Sequence, residues 1–156
     1  MRSRFALLAL AVFTISVGLQ AANDPFVGTW KLDVTRSTYS PGPASRGETL
    51  TSEPYGNNGI KTSAKITDAQ GKQSVTAYHG TFDGKDYPIT GDANADTTSM
   101  TRPDAYTIVR TNKKAGKVTT TLRREVSKDG KTLTVTQTGT DIKGQTIHNV
   151  TIFDKQ

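Results

Sequence analysis

The sequence predicts an all-β protein, an up-and-down antiparallel β-barrel of about 8–10 strands, on the strength of three observations. Short segments rich in Thr, Val, Ile and Tyr, which are favoured in strands, follow one another along residues 22–156. Turns that contain Gly, Asn or Asp separate these segments. Beyond residue 21, no apolar stripe with the period of a helix occurs.

Ten segments have the composition of strands. They are residues 27–35, 48–53, 60–67, 74–82, 86–89, 97–101, 106–111, 118–127, 132–138 and 146–153. Residues able to adopt positive φ, mostly Gly, stand between segments at 57–59, 70–72, 83–85, 115–117, 129–131 and 143–145. Successive tight hairpins predict a meander, because each strand then pairs with its neighbour in sequence.

A meander of this length has two exposed edges unless the sheet closes on itself. Closure into a barrel removes both edges, so we expect a closed barrel. An open twisted sheet or a β-sandwich is the alternative. An open sheet would need a helix or a second layer to cover one face, and the sequence predicts neither.

Residues 1–21 are predicted to be a signal peptide. Arg2 and Arg4 precede an uncharged, mainly apolar run from Phe5 to Leu19, and Ala21 and Ala22 follow as small residues for cleavage. The apolar run is shorter than the roughly 20 residues that span a bilayer. We therefore expect a single barrel domain at residues 22–156, without a stable membrane span after cleavage, in the periplasm or secreted. A retained N-terminal anchor is the alternative.

Composition supports this location and argues against nucleic-acid binding. The chain has no Cys, so its stability cannot depend on disulfides, which fits a bacterial periplasm. Without Arg2 and Arg4 it carries 18 basic and 14 acidic residues, a net charge of +4. The adjacent basic pairs are Lys113-Lys114 and Arg123-Arg124, and no aromatic residues are interleaved with them, so we expect no nucleic-acid partner.

Alternation along each segment predicts which side chains face the barrel interior. Val118, Thr120, Leu122, Arg124 and Val126 share one face of their segment. The same count groups Trp30 with Leu32 and Val34, Ile60 with Ala64 and Ile66, Tyr106 with Ile108 and Arg110, and Leu133 with Val135 and Gln137. The residues predicted to line a ligand are Trp30, Leu32, Ile66, Tyr106, Ile108, Arg110, Leu122, Arg124 and Val135.

The arginines on this apolar face allow two interpretations. A buried guanidinium needs a carboxylate, several carbonyls or a ligand anion, because burying the charge unpaired costs several kcal/mol or more. Arg110 and Arg124 could thus anchor the acidic head group of an amphiphile. Alternatively, Arg124 lies near a barrel rim and reaches water, with its stem over apolar neighbours.

The segment Phe26-Val27-Gly28-Thr29-Trp30-Lys31-Leu32 resembles the first strand of the calycins, which include the lipocalins and the fatty-acid-binding proteins. The resemblance implies that Trp30 closes one end of the barrel. The chain as a whole resembles a group of small exported bacterial lipocalin-like proteins without an assigned activity. The shared motifs are residues 28–32, 39–43, 83–88, 94–96, 127–135 and a terminal Phe-Asp-Lys-Gln.

Two departures from the fatty-acid-binding proteins limit what this resemblance implies. Those proteins have two helices between the first and second strands, whereas Pro41-Gly42-Pro43 is incompatible with a helix here. Their carboxylate-binding Arg-x-Tyr pair is matched by Thr151 and Phe153. Fatty-acid binding by that mechanism is therefore not expected.

Candidates for catalysis or metal binding are few. His79 and His148 stand on different segments, and no Cys or Gly-x-Ser-x-Gly elbow supplies a nucleophile. Residues 92–96 resemble the start of a calcium loop, but Thr97 replaces the required Gly and Pro103 the bidentate Glu. We predict that the protein is not an enzyme and needs no metal or cofactor.

Two functions remain after these exclusions. The first is the non-catalytic binding of a small apolar or amphiphilic ligand in the barrel lumen. The alternative is an envelope protein-interaction or inhibitor-like module, whose contact surfaces would be residues 41–46 and 87–102.

Overall fold

The computed structural model describes residues 24–156, which form ten antiparallel strands. These are β1 (Gly28–Thr38), β2 (Gly47–Pro54), β3 (Gly59–Thr67), β4 (Gln73–Thr81), β5 (Asp86–Thr90), β6 (Thr97–Asp104), β7 (Thr107–Lys114), β8 (Lys117–Val126), β9 (Thr132–Thr140) and β10 (Thr146–Lys155). Their bounds differ from the predicted segments by at most three residues. The predicted signal peptide lies outside the described residues. Within residues 24–156, no helical segment has the length and apolar character to span a bilayer.

The ten strands close into one barrel. Each strand pairs with its sequence neighbours, and β1 also pairs with β10, which gives the order β1-β10-β9-β8-β7-β6-β5-β4-β3-β2. Trp30 illustrates the closure, because it pairs with Leu50 of β2 on one side and with Lys155 of β10 on the other. The prediction of a closed up-and-down barrel is confirmed, and the open sheet and the sandwich are excluded.

The interior is filled at the end of the barrel where β1 begins. Trp30 and Phe26 are fully buried there, and Trp30 Nε1 donates a hydrogen bond to the Phe26 carbonyl at 3.0 Å. Arg102 holds the segment before β1 in place, because its Nη2 donates to Asp24 Oδ1 at 3.0 Å and its guanidinium lies 5.4 Å from the Phe26 ring centroid. The fully or almost fully buried core also includes Ile60, Met100, Ile108, Leu133 and Phe153.

Val34 and Val118, which alternation assigned to the interior, are instead exposed. The Val34 side chain is 43% exposed, because the register between β1 and β10 shifts after Asp33. The Asp33 carboxylate accepts a hydrogen bond from the Thr35 amide at 2.9 Å, and this local turn replaces regular pairing. Val118 is 61% exposed near the start of β8, next to a second register shift after Asn112. Alternation fails at both places because an irregularity reverses which face a residue occupies.

Candidate functional site

A cavity of about 330 Å³ lies in the barrel toward the end opposite the buried start of β1. Ligand pockets in proteins have volumes of about 300–1,000 Å³, so this cavity is at the small end of that range. Its walls come from strands β2, β3, β4, β7, β8, β9 and β10 and from the connection between β1 and β2. The apolar part of the wall is formed by Leu50, Ala64, Ile66, Leu122, Val135 and Phe153.

The β1–β2 connection contributes directly to the cavity wall. Tyr39, Pro41, Pro43 and Ser45 all line the cavity. The connection is fastened to β10, because the Ser40 amide donates to Asn149 Oδ1 at 3.0 Å and the His148 amide donates to the Ser40 carbonyl at 2.7 Å. In fatty-acid-binding proteins two helices connect the first and second strands, and this non-helical segment occupies the same position in the chain.

Arg124 projects from β8 into the interior and is only 3% exposed. Its Nη1 donates a hydrogen bond to the Tyr78 hydroxyl at 3.0 Å. Its Nη2 is buried and has no hydrogen-bond partner among the described residues. The interpretation that this arginine reaches water at a barrel rim is therefore wrong, because Arg124 is almost completely buried.

Arg110 reaches the same space from the neighbouring strand β7. It pairs with Leu122, while Arg124 pairs with Ile108, so the two arginines lie diagonally on one face of the β7–β8 ladder. The guanidinium carbon of Arg110 lies 4.5 Å from the Tyr78 ring centroid, and its Nε is buried without a partner in the described part of the chain. Neither arginine takes part in any of the ion pairs between residues 24 and 156.

Glu48, near the start of β2, places a carboxyl group in the wall of the cavity. Burial raises its pKa to about 7, while the charges of Arg110 and Arg124 act in the opposite direction. The burial effect is larger. At neutral pH Glu48 is therefore only partly ionised and does not fully neutralise the arginines.

The same charges also lower the pKa of Tyr78, but here the net shift is downward. Burial acts to raise the pKa of its phenol, but Arg124 and Arg110 together lower it to about 8. The phenol lies between two positive charges that favour its ionised form. The surroundings of Tyr78 therefore favour negative charge.

The structure separates the predicted lining residues into three groups. Five line the cavity, namely Ile66, Arg110, Leu122, Arg124 and Val135. Trp30, Leu32 and Ile108 face inward but belong to the packed core instead. Tyr106 is placed wrongly by the prediction, because it lies in the turn before β7 and is 36% exposed. Alternation gives the face of a strand, but it does not give the depth of a residue along the barrel axis.

Two residues that line the cavity with Arg110 and Arg124, Tyr78 and Glu48, were not predicted to do so. Tyr78 lies on β4, where both faces carry apolar residues, so alternation does not assign it to either face. Val75, on the other face of this strand, is 53% exposed. Glu48 shares a strand face with Leu50 and Ser52, which are both buried, and this spacing was the signal that could have identified it.

The remaining polar candidates lie elsewhere. His79 is exposed and packs against Tyr55, with ring centroids 4.6 Å apart, and His148 is also exposed. The Asp92 carboxylate accepts the Asn94 amide at 2.8 Å, which is the geometry of an Asx turn. Residues 24–156 contain no group of three or more His, Cys, Asp or Glu side chains that could hold a metal ion.

Solved structures of the fluorescent protein UnaG are similar to this chain. A point mutant of UnaG has a TM-score of 0.60 and 16% identity, over 85% of this chain and 96% of that chain. Wild-type UnaG has a TM-score of 0.55 and 18% identity, over 84% and 97% of the two chains. No protein-family model and no curated protein matches the sequence.

Together with the strand order, these likenesses define the structural class. The chain has a calycin-like fold, a closed ten-stranded up-and-down barrel of the kind found in fatty-acid-binding proteins. At this level of identity the likeness concerns the fold alone.

Proposed function

We propose that the protein binds a compact amphiphilic anion inside the barrel and catalyses no reaction on it. The observation that carries this proposal is the pair of buried arginines. Arg110 and Arg124 each have a buried N–H group without a partner among the described residues, and both line the cavity. An unpaired buried guanidinium is costly, and an anionic ligand would supply the missing acceptor atoms.

The rest of the cavity wall supports an amphiphile over a fully polar ligand. Leu122, Val135 and Ile66 offer apolar surface near the arginines, while Thr62 and Gln137 offer hydrogen-bonding groups. A volume of about 330 Å³ suits a short or ring-shaped apolar part better than a long acyl chain.

The proposed anion site differs from the Arg-x-Tyr grip of fatty-acid-binding proteins. The matching positions here hold Thr151 and Phe153, and the Thr151 hydroxyl is close to the Val135 carbonyl, at 3.4 Å. The positive charge comes instead from β7 and β8, with Tyr78 of β4 between the two guanidinium groups. This arrangement supports an acidic ligand held from a different side of the lumen.

The absence of catalysis is part of the proposal and has its own support. The two histidines, His79 and His148, are exposed, and neither lines the cavity. Residues 41–46, a contact surface in the alternative hypothesis, include Pro41, Pro43 and Ser45, which line the cavity. No observation favours a protein partner for this segment.

A matched pair of fluorescent probes tests the anion site. Anilinonaphthalene sulfonate carries a permanent negative charge, and phenylnaphthylamine is its uncharged analogue. We expect the protein to bind the sulfonate more tightly, and we expect Arg110→Met and Arg124→Met each to weaken sulfonate binding about tenfold or more. Binding of the uncharged probe should change little.

Arg123→Met is the matched control, because Arg123 is exposed beside Arg124 and forms an ion pair with Glu125 at 3.0 Å. It should leave both affinities unchanged. Replacement of a buried unpaired Arg by Met is not expected to prevent folding. Equal affinities for the two probes in the native protein, or no binding of either, would show that the proposed function is wrong.

Export to the periplasm or the medium is a second part of the proposal. It is supported by the basic start and apolar run of residues 1–21. The mass of the protein recovered from a cell envelope fraction tests it, since cleavage would remove those residues. A full-length mass in the cytoplasmic fraction would contradict export.

A further inference from the structure

We propose that Glu48 links ligand binding to proton uptake, so that the cavity holds an anion tightly when Glu48 is protonated and weakly when it is ionised. The chemical class of the ligand follows from this as an organic acid whose charged group occupies the cavity next to Arg110 and Arg124. The inference rests on the proposed function and adds a residue whose protonation sets the affinity for the anion.

The position of Glu48 is the first argument. It lines the same cavity as both arginines, and its cross-strand partner on β3 is the apolar Ile66. It forms none of the ion pairs between described residues, although Arg110 and Arg124 are near enough to influence its charge. Glu48 therefore competes with a ligand anion for the positive charges of Arg110 and Arg124, and it forms no ion pair with either arginine.

The other groups that face the cavity contribute less to a pH dependence below about pH 8, where Tyr78, with a pKa of about 8, accounts for no more than about twofold. The charged or titratable ones are Arg110 from β7, Arg124 from β8, Tyr78 from β4, Tyr39 after β1 and Asp92 after β5. The cavity residues of β3, β9 and β10 are uncharged. Asp92 differs from Glu48, because it accepts hydrogen bonds from the Asn94 amide at 2.8 Å and from Asn112 Nδ2 at 3.5 Å.

The coupling follows from the charges. Burial already raises the pKa of Glu48 to about 7, against the effect of Arg110 and Arg124. A ligand anion adds negative charge nearby, which raises the pKa of Glu48 further and draws a proton onto it. By linkage, the affinity for the anion must then fall as the pH rises through the pKa of the free protein.

The pH dependence of probe binding tests this inference. Anilinonaphthalene sulfonate is suitable because its own charge does not change, so any dependence belongs to the protein. We expect the dissociation constant of the native protein to rise about fivefold between about pH 6 and about pH 8, which corresponds to a further pKa shift of about one unit. Binding of uncharged phenylnaphthylamine should not change over this range.

Two variants identify the responsible group. Glu48→Gln keeps the shape of the protonated side chain, so its affinity for the sulfonate at about pH 8 should stay within about twofold of the tight, low-pH value, and the remaining change belongs to Tyr78. Glu53→Gln is the control, because Glu53 lies on the same strand, is exposed and pairs with Lys61. This control should retain the pH dependence of the native protein.

A measurement on the native protein avoids any effect of substitution on folding. The carboxyl carbon resonance of Glu48 should titrate near pH 7 in the free protein and at higher pH with the sulfonate bound. An unchanged titration on binding would overturn the inference, as would a pH dependence that persists undiminished in Glu48→Gln or disappears only in Asp92→Asn. Binding that requires the arginines but ignores pH would overturn this inference alone, whereas a failure of the sulfonate to bind better than its uncharged analogue would overturn the proposed function as well.

Discussion

The Tyr78 hydroxyl accepts a hydrogen bond from Arg124 Nη1 at 3.0 Å inside the barrel, while the face of the same ring lies 4.5 Å from the guanidinium carbon of Arg110. One side chain thus contacts two buried positive charges from different strands. The negative face of an aromatic ring and a phenol oxygen both stabilise a guanidinium. Tyr78 therefore stabilises the two arginines in the cavity wall.

The first prediction concerns the ionisation of Tyr78. Its pKa is lowered to about 8, so we expect an absorbance increase typical of tyrosinate near pH 8 in the folded protein. The Tyr78→Phe variant should lack this step, whereas Tyr55→Phe should retain it, because Tyr55 is exposed on the outside of the barrel. A step that survives in Tyr78→Phe would show that another tyrosine ionises there.

The same shift makes stability depend on pH. Since the folded pKa of Tyr78 lies below the usual value of 10.0, the unfolded chain binds more protons between the two values. The contribution of Tyr78 ionisation to the free energy of unfolding should therefore be absent below about pH 8 and should increase as the pH rises toward about 10. Urea unfolding of the native protein and of Tyr78→Phe across this range measures the difference.

The second prediction concerns the effect of Glu48 on stability. Its folded pKa of about 7 lies above the usual 4.5, so the native state binds more protons between these values and loses stability as the pH rises from about 4.5 to about 7. Glu48→Gln removes the buried charge. We expect it to increase the free energy of unfolding by about 3 kcal/mol at about pH 8 and to change it little at about pH 4.

Urea denaturation at these two pH values measures this effect. Glu53→Gln, which changes an exposed carboxyl on the same strand, should have no effect at either pH beyond about 0.5 kcal/mol. A loss of stability in Glu48→Gln at the higher pH would mean that attraction to Arg110 and Arg124 outweighs the burial of the carboxylate.

The fold could be predicted from the sequence because its signals are local. Each hairpin depends on a few turn residues and on two neighbouring segments, so all ten strands and their order followed from the meander. The irregularities that expose Val34 and Val118 could not be predicted in this way, because they depend on the register with a neighbouring strand.

The candidate site was only partly accessible to the same reasoning. Arg110 and Arg124 stood out because a charged residue interrupted an apolar face, and the structure buries both. Glu48 gave a weaker signal, its spacing from Leu50, because a carboxylate near the start of a strand is usually solvated. The partial burial of Glu48 results from the closed barrel and the β1–β2 connection, which are features of the tertiary structure. The role of the cavity-lining residues in binding stays a prediction.

The third prediction concerns the only tryptophan. Trp30 is fully buried and anchors Phe26 by a hydrogen bond of 3.0 Å, so Trp30→Ala removes both packing and an anchor of the N-terminal segment. We expect a loss of about 3–5 kcal/mol in the free energy of unfolding. Val34→Ala, on the same strand but exposed, should cost less than about 1 kcal/mol. Circular dichroism in urea measures both, and similar losses would contradict the role of Trp30 in the core.

The fourth prediction compares two glycines with nearly the same backbone conformation. Gly91 and Gly116 have φ of 77° and 76°. A Cβ on Gly91 would lie 1.8 Å from the Val75 carbonyl oxygen, whereas a Cβ on Gly116 would have no atom within 4 Å apart from its neighbours in the chain. Gly116→Ala should therefore cost only the conformational term of about 1–2 kcal/mol. Gly91→Ala must also displace the β4 backbone, so we expect a loss above about 3 kcal/mol and weaker sulfonate binding, since Asp92 beside it lines the cavity. Urea midpoints and probe titrations of the two variants measure these effects. Equal losses would show that the backbone around Gly91 and Val75 adjusts freely. An unchanged probe affinity in a destabilised Gly91→Ala would show that this part of the barrel does not shape the cavity.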